Sequence, residues 1–448
     1  MPIALDIDLY QASMLYSYFR NQEQDLPGSM ESFARKLPFC RDFFVVAGLG
    51  RIIDYLADLK FTTEDIRIIN EVLQIKDESF GNYLSGVDFA KQLTIYAMPE
   101  GTVAFPYEPI IRLDGPIGLC QYVEKHILGI LNHDIRIASK AARIVLAAQG
   151  RPVMEFGGRR AHEACTPDAA RAAYIAGFSG SSNLQAYATY GIPVTGTMGH
   201  VWIMSHNSEA EAFEKWGTVF PNSTYLVDTY DTLQGVENAI KYGKTVSAIR
   251  LDSGDLYNLS VNARRALNNS GNHTTKIVAT NDLDEYSITT LLQNGAPIDS
   301  FGVGTQLVST PDCPSFGFVH KLIEVDGRAV AKKADKAKGT WPGKKQVWRD
   351  LAPYNNSILM AQDTISTFDE AKPSDFATPM VQEYKIEKQD AKNIVWCARD
   401  WFKQTLATLP QYMKIIPKKP ILQEQPGRIE YPVRFSNNLI QLRNKTNA

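Results

Sequence analysis

Cysteine is sparse in this 448-residue chain, and its few copies are scattered. No two cysteines stand close together, so they fit neither a disulfide framework nor the paired spacing of a zinc knuckle. We therefore predict that they are buried as small apolar side chains. The five are Cys40, Cys120, Cys165, Cys313 and Cys397.

The chain also lacks an excess of either charge and any long apolar run. Its 47 Lys and Arg residues against 49 Asp and Glu residues give a formal net charge of −2, which argues against a nucleic-acid-binding surface across the whole molecule. No apolar stretch approaches the length of a membrane span, and the first residues, MPIALDIDLY, carry acids where a secretory leader would be basic. We expect a cytoplasmic protein with no nucleic-acid and no membrane partner.

Several common enzyme signatures are missing as well. There is no HExxH, GxSxG or GxGxxG constellation, so the zinc-protease, hydrolase and dinucleotide-binding classes have no support. Residues 339–345 place a lysine after glycine, but they lack the strand-loop-helix setting and the following Ser or Thr of a P-loop.

What the chain does contain is a repeated pattern of short apolar runs, each of which ends in a polar, glycine-flanked turn. An amphipathic segment follows most of these turns. A buried strand, a polar turn and a helix in repetition predict a parallel α/β barrel whose active site lies at the carboxyl ends of its strands. The runs and their turns are 153–154 before EFGGRR, 192–194 before TGTMGH, 246–249 before RLDSGD, 276–278 before ATNDLDE and 298–301 before GVGT.

The length of the chain exceeds that of one compact domain, and the repeated pattern occupies only its middle. We therefore place the barrel at residues 126–327, an N-terminal part at 1–125 and a C-terminal part at 328–448. Apolar spacing over residues 122–148 predicts a long helix that leads into the barrel. Thr166-Pro167-Asp168 predicts a helix start, with Thr166 as the capping residue.

Arginine and histidine side chains follow two of the predicted strands. Arg159 and Arg160 come after two glycines, and their guanidinium groups suit a carboxylate or phosphate, although they could also pair with neighbouring acids on the surface. His200 follows a glycine in its turn and could act as an acid, a base or a phosphate-accepting nucleophile. His206 is a weaker candidate for the same role.

Carboxylates and glycines follow the next three strands. Arg250, Asp252 and Asp255 share one turn, where two carboxylates suit sugar hydroxyls or a hydrated magnesium ion, while Asp255 could instead cap the next helix. Asp282 is a further carboxylate in the turn after the next predicted strand. The glycines and Thr305 of GVGT could bind a phosphate. Gathered at one barrel mouth, these groups predict a site for a phosphorylated sugar.

Ten segments, taken together and in order, resemble the nicotinate phosphoribosyltransferase family. The likeness is specific because all ten stand in register along most of the chain, up to about residue 349. The segments are DLYQASM, FARKLP, ASKAARI, EFGGRR, GFSGSSN, GTMGH, RLDSGDL, TNDLDEY, FGVGT and PGKKQVWR.

The resemblance implies an irregular, TIM-like α/β barrel packed against a second α/β domain formed by the N- and C-terminal parts of the chain. It implies a homodimer with shared active sites and the transfer of phosphoribose from phosphoribosyl pyrophosphate to nicotinate. It also implies ATP as a co-substrate, whose hydrolysis is coupled to transfer through a phosphohistidine, with Mg²⁺ as cofactor. The reaction would be the first step of NAD salvage from nicotinate.

The resemblance also assigns roles to particular residues. His200 is similar to the phosphorylated histidine, Thr197 and Arg250 to nicotinate ligands, and Tyr10 of the neighbouring subunit and Phe156 to the rings that sandwich the pyridine. The others it implies at the site are Arg159 for an anion, Asp252 near the ribose, Gly304 and Thr305 for the product phosphate, and Lys345, in a basic stretch over 328–349, for pyrophosphate.

One residue bears on whether the substrate is the acid or the amide. The related nicotinamide enzyme has an aspartate in the segment corresponding to GFSGSSN, where this chain has Ser182, and a serine does not repel a carboxylate. The sequence therefore favours nicotinate over nicotinamide. Quinolinate is disfavoured because no second arginine cluster is present for its second carboxylate.

The alternative from another class of function is a catalytically silent barrel that senses a nucleotide and regulates a partner.

Overall fold

The computed structural model describes residues 4–332, 339–420 and 429–447, and it divides into two compact units. The first unit comprises Met1–Arg136, Ser315–Met413 and Gln423–Ala448, and the second comprises Ile137–Pro314 with Lys414–Leu422. The first is thus assembled from both ends of the chain, and the second holds the repeated strand-turn-helix pattern. Their borders differ from those predicted at 125/126 and 327/328.

The helices are numbered in chain order. They are α1 (Leu9–Arg20), α2 (Leu49–Asp58), α3 (Thr63–Val72), α4 (Ser79–Ser85), α5 (Phe89–Gln92), α6 (Ile117–Tyr122), α7 (Glu124–Ala147), α8 (Thr166–Ile175), α9 (Leu184–Tyr190), α10 (His200–Met204), α11 (Glu209–Val219), α12 (Thr232–Tyr242), α13 (Leu256–Asn269), α14 (Glu285–Gln293), α15 (Thr305–Ser309), α16 (Ala391–Thr408) and α17 (Asn437–Asn447).

The strands are numbered in the same way. They are β1 (Pro27–Phe33), β2 (Phe44–Val45), β3 (Thr94–Ala97), β4 (Val103–Ala104), β5 (Ile111–Pro116), β6 (Val153–Glu155), β7 (Gly180–Ser181), β8 (Thr224–Leu226), β9 (Ala248–Leu251), β10 (Lys276–Ala279), β11 (Ser300–Val303), β12 (Val319–Val325), β13 (Arg328–Ala329), β14 (Lys345–Tyr354), β15 (Ser357–Thr367), β16 (Ala377–Pro379), β17 (Gln382–Tyr384) and β18 (Val433–Phe435).

The second unit is built on a parallel sheet in the order β7-β6-β11-β10-β9-β8, which curls into a half-barrel. Its strands are short and largely buried, and they pair in register, with Ala279 opposite both Leu251 and Phe301. Parallel pairing brings the carboxyl ends of all six strands to one edge of the sheet. The predicted α/β class with a barrel-type parallel sheet is therefore confirmed.

Four of the five apolar runs coincide with strands, namely β6, β9, β10 and β11. The prediction of a strand at residues 192–194 is wrong, since only Val194 pairs, through a single parallel bridge to Ser181. Pro193 and Val194 are exposed, and proline cannot donate a ladder hydrogen bond, so this segment does not extend the sheet. The sheet instead includes β7 and β8, which the apolar pattern did not predict.

The long helix predicted over 122–148 is confirmed as α7, Glu124–Ala147. Two other local predictions need correction. Thr166 is the first residue of α8 rather than its cap, because its hydroxyl donates to the Glu163 carbonyl at 3.1 Å and the cap position is Cys165. The cysteines are not all buried, since Cys397 is exposed and Cys165 is half-buried.

The first unit contains a six-stranded antiparallel sheet in the order β13-β12-β1-β5-β3-β17, a four-stranded sheet in the order β16-β14-β15-β18, and the β2-β4 pair. A salt bridge lies in the core of this unit, where Arg349 on β14 pairs with Asp363 on β15 at 2.6 Å. Both side chains are almost completely buried, so each charge needs the other.

No helix among the described residues is long and apolar enough to cross a bilayer.

Candidate active site

The carboxyl edge of the parallel sheet gathers polar side chains around Arg250. Arg250 lies in β9, and its guanidinium group contacts three groups from three different turns. Its Nε donates to the Thr280 hydroxyl at 3.0 Å, its Nη1 to the Thr197 hydroxyl at 3.0 Å, and its Nη2 lies 2.9 Å from Asp252 Oδ1. These contacts fix the plane of a largely buried guanidinium and leave part of its donor fork for a further anion.

An aromatic ring lies beside this guanidinium. Phe156 follows β6, and its ring centroid is 5.8 Å from Arg250 Cζ. The ring packs on Gly302, where an added Cβ would lie 2.5 Å from ring carbons, so only glycine allows this close approach. Gly302, the first glycine of GVGT, is thus required for steric reasons, whereas the product phosphate was assigned to Gly304 and Thr305. Phe156 and Arg250 therefore place an aromatic ring and a cation next to each other at the carboxyl edge of the sheet.

His200 is the first residue of α10 and stands between two oxygen-bearing side chains. Its Nδ1 is 3.1 Å from the Thr229 hydroxyl, and its Nε2 is 3.8 Å from Asp252 Oδ2. The side chain of His200 is 43% exposed. A partly exposed imidazole that is oriented through one nitrogen can receive or transfer a group at the other.

Asp252 is itself held by a second carboxylate. Its backbone N–H donates to Asp228 Oδ2 at 2.9 Å, and the neighbouring Ser253 hydroxyl donates to the same oxygen at 2.6 Å. The hydroxyl of Thr280 also donates to Asp252 Oδ1. Asp252 is therefore fixed by Arg250 and Thr280 through its side chain and by Asp228 through its backbone.

The remaining predicted residues of this unit lie in the turns at the same sheet edge. Asp255 caps α13 by accepting from the N–H groups of Tyr257 and Asn258, and hydrogen bonds from Asn258 lower the pKa of its carboxyl group. Asp282 is exposed and has a left-handed backbone, with φ of 45°. The structure thus gives Asp255 the capping role considered as its alternative.

The turns after β6, β7 and β11 supply the other candidates. Arg159 is exposed in a short 3₁₀ turn, Gly158–Arg160. Ser182 is exposed directly after β7. Gly304 precedes the short helix α15, and Thr305 is the first residue of that helix. These residues leave the sheet at the edge that carries Arg250. The strand-turn pattern predicted this for Arg159, Gly304 and Thr305, but not for Ser182, because it did not predict β7.

Tyr10 and Lys345 belong to the first unit. Tyr10 is 48% exposed on α1, its hydroxyl donates to Glu124 at 3.2 Å, and burial together with Glu124 raises its pKa to about 12. Lys345 is buried, pairs with Glu31 at 2.8 Å and donates to the carbonyls of Trp341 and Gly343. This gives Lys345 a structural role within the unit, whereas its contact with pyrophosphate stays a prediction.

The basic stretch over 328–349 that contains Lys345 is largely neutralised by acids of the first unit. Lys344 lies 3.5 Å from Asp114 and 3.4 Å from Glu324, and Arg349 pairs with Asp363. Lys333, Lys336 and Lys338 lie outside the described residues. The described part of the stretch therefore does not present a row of free cations.

Sequence reasoning missed four side chains that hold the site together. Asp228 and Thr229 follow β8, Thr280 follows β10, and Glu155 ends β6. A signal was present for the first two, since TYLVDTY is another apolar run that ends in polar residues. Glu155 and Thr280 lie within the turns EFGGRR and ATNDLDE and so carried the same signal, but sequence analysis gave neither residue a role.

The described carboxylates of the site do not form a complete set of ligands for a magnesium ion. Within the described residues no group of three or more His, Cys, Asp or Glu side chains is arranged to hold a metal ion. Asp228 Oδ1 is nevertheless buried without a hydrogen-bond partner, close to the Asp252 turn. These carboxylates fit an ion that takes most of its ligands from a phosphorylated ligand and water rather than from the protein.

Comparison with known proteins gives one consistent family. Residues 5–132 match the nicotinate phosphoribosyltransferase N-terminal domain model and residues 152–370 match the nicotinate phosphoribosyltransferase family model. A nicotinate phosphoribosyltransferase of Mycobacterium tuberculosis, pncB2, is 38% identical over 447 residues, covering 98% of this chain and 92% of that protein. The enzyme of Bacillus subtilis is 40% identical over 381 residues, covering 82% of this chain and 77% of its own length.

A solved structure supports the same fold. The crystal structure of human nicotinic acid phosphoribosyltransferase superimposes with a TM-score of 0.82 at 23% identity, covering 98% of this chain and 99% of that one. At this level of identity the likeness concerns the fold, while the family follows from the domain models and the closer bacterial relatives. The chain belongs to the nicotinate phosphoribosyltransferase family.

Proposed function

We propose that this protein transfers the phosphoribosyl group of phosphoribosyl pyrophosphate to nicotinate, giving nicotinate mononucleotide and pyrophosphate. The bond from ribose C1 to the pyrophosphate oxygen breaks, and a bond from C1 to the pyridine nitrogen forms. Transfer is coupled to ATP hydrolysis, which makes the protein an ATP-dependent ligase at the first step of NAD salvage from nicotinate. The family and the relatives at 38–40% identity support the reaction.

The observation that carries the choice of substrate is the setting of Arg250. Its guanidinium is oriented by Thr197, Thr280 and Asp252, and the Phe156 ring lies at 5.8 Å. A flat pyridine with one carboxylate needs a fixed guanidinium for the carboxylate and a ring face for stacking. An oriented donor fork costs little reorganisation when the anion arrives.

Charge at the site matches the charge expected in the transition state. Positive charge develops on the ribose as the bond to pyrophosphate loosens, and the Asp252 carboxylate is the group we assign to stabilise it. Arg159 and the N–H groups at Gly304 and Thr305 are assigned to anionic oxygens, and Asp255 and Asp282 to the rim that faces the sugar hydroxyls. When bound, Mg²⁺ would neutralise the pyrophosphate oxygens, held near Asp228 and Asp252 mainly through phosphate and water.

His200 is the proposed site of ATP coupling. One of its imidazole nitrogens attacks the γ-phosphorus of ATP, so that the bond to the ADP oxygen breaks and a phosphorus–nitrogen bond forms. Water later cleaves that bond and releases phosphate. The contact of Nδ1 with Thr229 supports this role because it orients the ring, and Asp252 lies 3.8 Å from Nε2.

We also propose a homodimer in which Tyr10 of the partner subunit supplies the second ring around the pyridine. Exposed apolar side chains support an interface on each unit. Leu9, Tyr10 and Met14 are exposed on α1 of the first unit. On the second unit, Leu184 and Tyr187 of α9 and Val201 and Met204 of α10 are exposed, and α10 carries His200.

The proposal is tested by measuring mononucleotide formation by the purified protein. Phosphoribosyl pyrophosphate and Mg²⁺ are supplied with nicotinate, nicotinamide or quinolinate in turn, each with and without ATP. Of the three bases, we expect only nicotinate to be converted at a high rate, and we expect ATP to increase that rate. Turnover of nicotinamide or quinolinate in its place would overturn the substrate assignment. Tight nucleotide binding without turnover of any base would favour the silent regulatory barrel.

Ser182→Asp is expected to shift selectivity from nicotinate towards nicotinamide. An aspartate at this exposed position after β7 would repel the carboxylate of nicotinate and accept a hydrogen bond from the amide. We expect the ratio of kcat/KM for the two bases to change by roughly tenfold or more, as one charge-charge repulsion at partial exposure allows. Ser182→Asn is the matched neutral control, and an unchanged ratio in Ser182→Asp would contradict the assignment.

A further inference from the structure

Glu155 is a buried carboxylate that joins two turns of the candidate site. It is the last residue of β6 and is 1% exposed. Its Oε2 accepts from the Ser181 hydroxyl at 2.5 Å, and its Oε1 accepts from the backbone N–H of Gly157. Each oxygen thus holds a different turn, which also compensates the cost of burying the carboxyl group.

The turn after β7 depends on Glu155 through its backbone as well. The N–H of Ser182 donates to the Glu155 carbonyl at 3.1 Å, and the N–H of Asn183 donates to the Ser181 hydroxyl at 3.0 Å. The Ser181 hydroxyl therefore accepts from Asn183 while it donates to Glu155. Ser182 stands between these two hydrogen bonds, so its position follows from Glu155 and Ser181.

The turn after β6 has no room to move independently. The N–H of Phe156 donates to the Val303 carbonyl at 2.9 Å. A Cβ at Gly157 would lie 2.5 Å from Val308 Cγ1, and a Cβ at Gly302 would lie 2.5 Å from the Phe156 ring. The side-chain hydrogen bonds of Glu155 thus add to the β6–β7 pairing at the point where the Phe156 turn and the Ser182 turn leave the sheet.

We infer that Glu155 is a positioning residue that sets the separation between the Phe156 ring and Ser182, and through it the selectivity for the base. This inference rests on the proposed function, since it concerns the pocket for the pyridine. Glu155 does not touch the base itself. It holds the stacking ring and the residue that faces the carboxylate or amide at a fixed spacing. Burial raises the pKa of its carboxyl group, while hydrogen bonds from Ser181 and Gly157 oppose that rise.

Glu155→Ala and Ser181→Ala weaken the link between the two turns, and Glu155→Gln preserves it. Glu155→Ala removes both side-chain hydrogen bonds and leaves the backbone bond to the Ser182 N–H in place. Ser181→Ala removes one side-chain hydrogen bond and leaves a buried carboxylate oxygen without its partner. Glu155→Gln keeps the length of the side chain, an acceptor for the Gly157 N–H and a polar group opposite Ser181. We expect Glu155→Ala and Ser181→Ala to raise the KM for nicotinate by about tenfold and to lower the nicotinate-to-nicotinamide selectivity by a similar factor, and Glu155→Gln to restore most of both.

A matched control is available in the same unit. Glu209 is also buried, burial raises its pKa, and it accepts from Asn238 at 2.8 Å, but it lies on α11. Glu209→Ala is expected to leave the KM for nicotinate and the selectivity unchanged. Thermal unfolding of all variants identifies any that lose folded protein, and Ser181→Ala keeps the test decisive if Glu155→Ala does not fold.

The outcomes of this experiment distinguish the inference from the function on which it rests. A wild-type protein that does not turn over nicotinate would overturn the proposed function. A wild-type protein that does so, with unchanged selectivity in Glu155→Ala and Ser181→Ala, would overturn only the role of Glu155. An equal rise in the KM for nicotinate and for phosphoribosyl pyrophosphate would also overturn it, because a spacing between Phe156 and Ser182 affects the base alone.

Discussion

Replacement of His200 by alanine is expected to abolish ATP hydrolysis while leaving some phosphoribosyl transfer at high phosphoribosyl pyrophosphate. The imidazole is the proposed acceptor of the phosphoryl group. Removal of a covalent nucleophile lowers the rate of the step that it carries out by roughly a thousandfold or more. The groups that we assign to nicotinate, Arg250 and Phe156, keep their contacts with Thr197, Thr280 and Gly302. Transfer therefore loses its coupling but not its base site.

The measurement is phosphate release from ATP alongside mononucleotide formation, with and without nicotinate. Incubation with ATP labelled at the γ-phosphate should give an acid-labile protein label in the wild type and none in His200→Ala. His206→Ala is the matched control, because His206 contacts the Trp202 carbonyl at 2.7 Å rather than an acid of the site. Full ATP hydrolysis by His200→Ala would contradict the assignment, and its loss in His206→Ala would move the role there.

The parts of the fold that were predicted from sequence are those in which apolar periodicity is itself the cause of structure. Strands β9, β10 and β11 are buried, so their β-branched runs are visible in the sequence. Strand β7 consists only of Gly180 and Ser181, and its pairing depends on Met154 and Glu155, some 26 residues earlier. Such a strand exists because of its partner, and no local pattern predicts it.

The residues of the candidate site also differ in how far the sequence predicts them. Arg250, Asp252 and His200 were predicted from the polar turns that follow apolar runs, and Thr197 was assigned by the family resemblance. The structure brings these side chains into contact. The contacts of the supporting groups could not be predicted in this way. Asp228 acts on Asp252 through a backbone N–H, and that contact requires the β8-β9 pairing to be known first.

The ion-pair partner of Lys345 could not be predicted from the run of basic residues around it. A run of basic residues in sequence predicts an anion site only if the side chains face solvent or a ligand. In the first unit β14 places Lys345 against Glu31 of β1, and both side chains are 1% exposed. Burial lowers the pKa of Lys345, and the Glu31 carboxylate opposes that shift. The carboxylate that pairs with this lysine lies some three hundred residues away in sequence.

Mixing two inactive variants is expected to restore activity if the active sites are shared between subunits. Tyr10→Ala removes the ring that each chain is proposed to supply to the site of its partner. Arg250→Ala removes the guanidinium that each chain supplies to its own site, in its second unit. Loss of the stacking ring or of the carboxylate partner should lower kcat/KM for nicotinate at least about tenfold in each homodimer. In a mixed dimer one of the two sites contains neither substitution.

Random reassortment of two such chains should therefore recover about a quarter of the wild-type activity, because about half of the dimers are mixed and each has one intact site. The measurement is activity at limiting nicotinate after the two variants are refolded together. A mixture of Arg250→Ala with Phe156→Ala is the matched control, since both residues lie in the second unit and every site in a mixed dimer then carries one substitution. Activity no higher than the mean of the two variants in the Tyr10 mixture would contradict a shared site and place the second ring, if there is one, elsewhere in the chain.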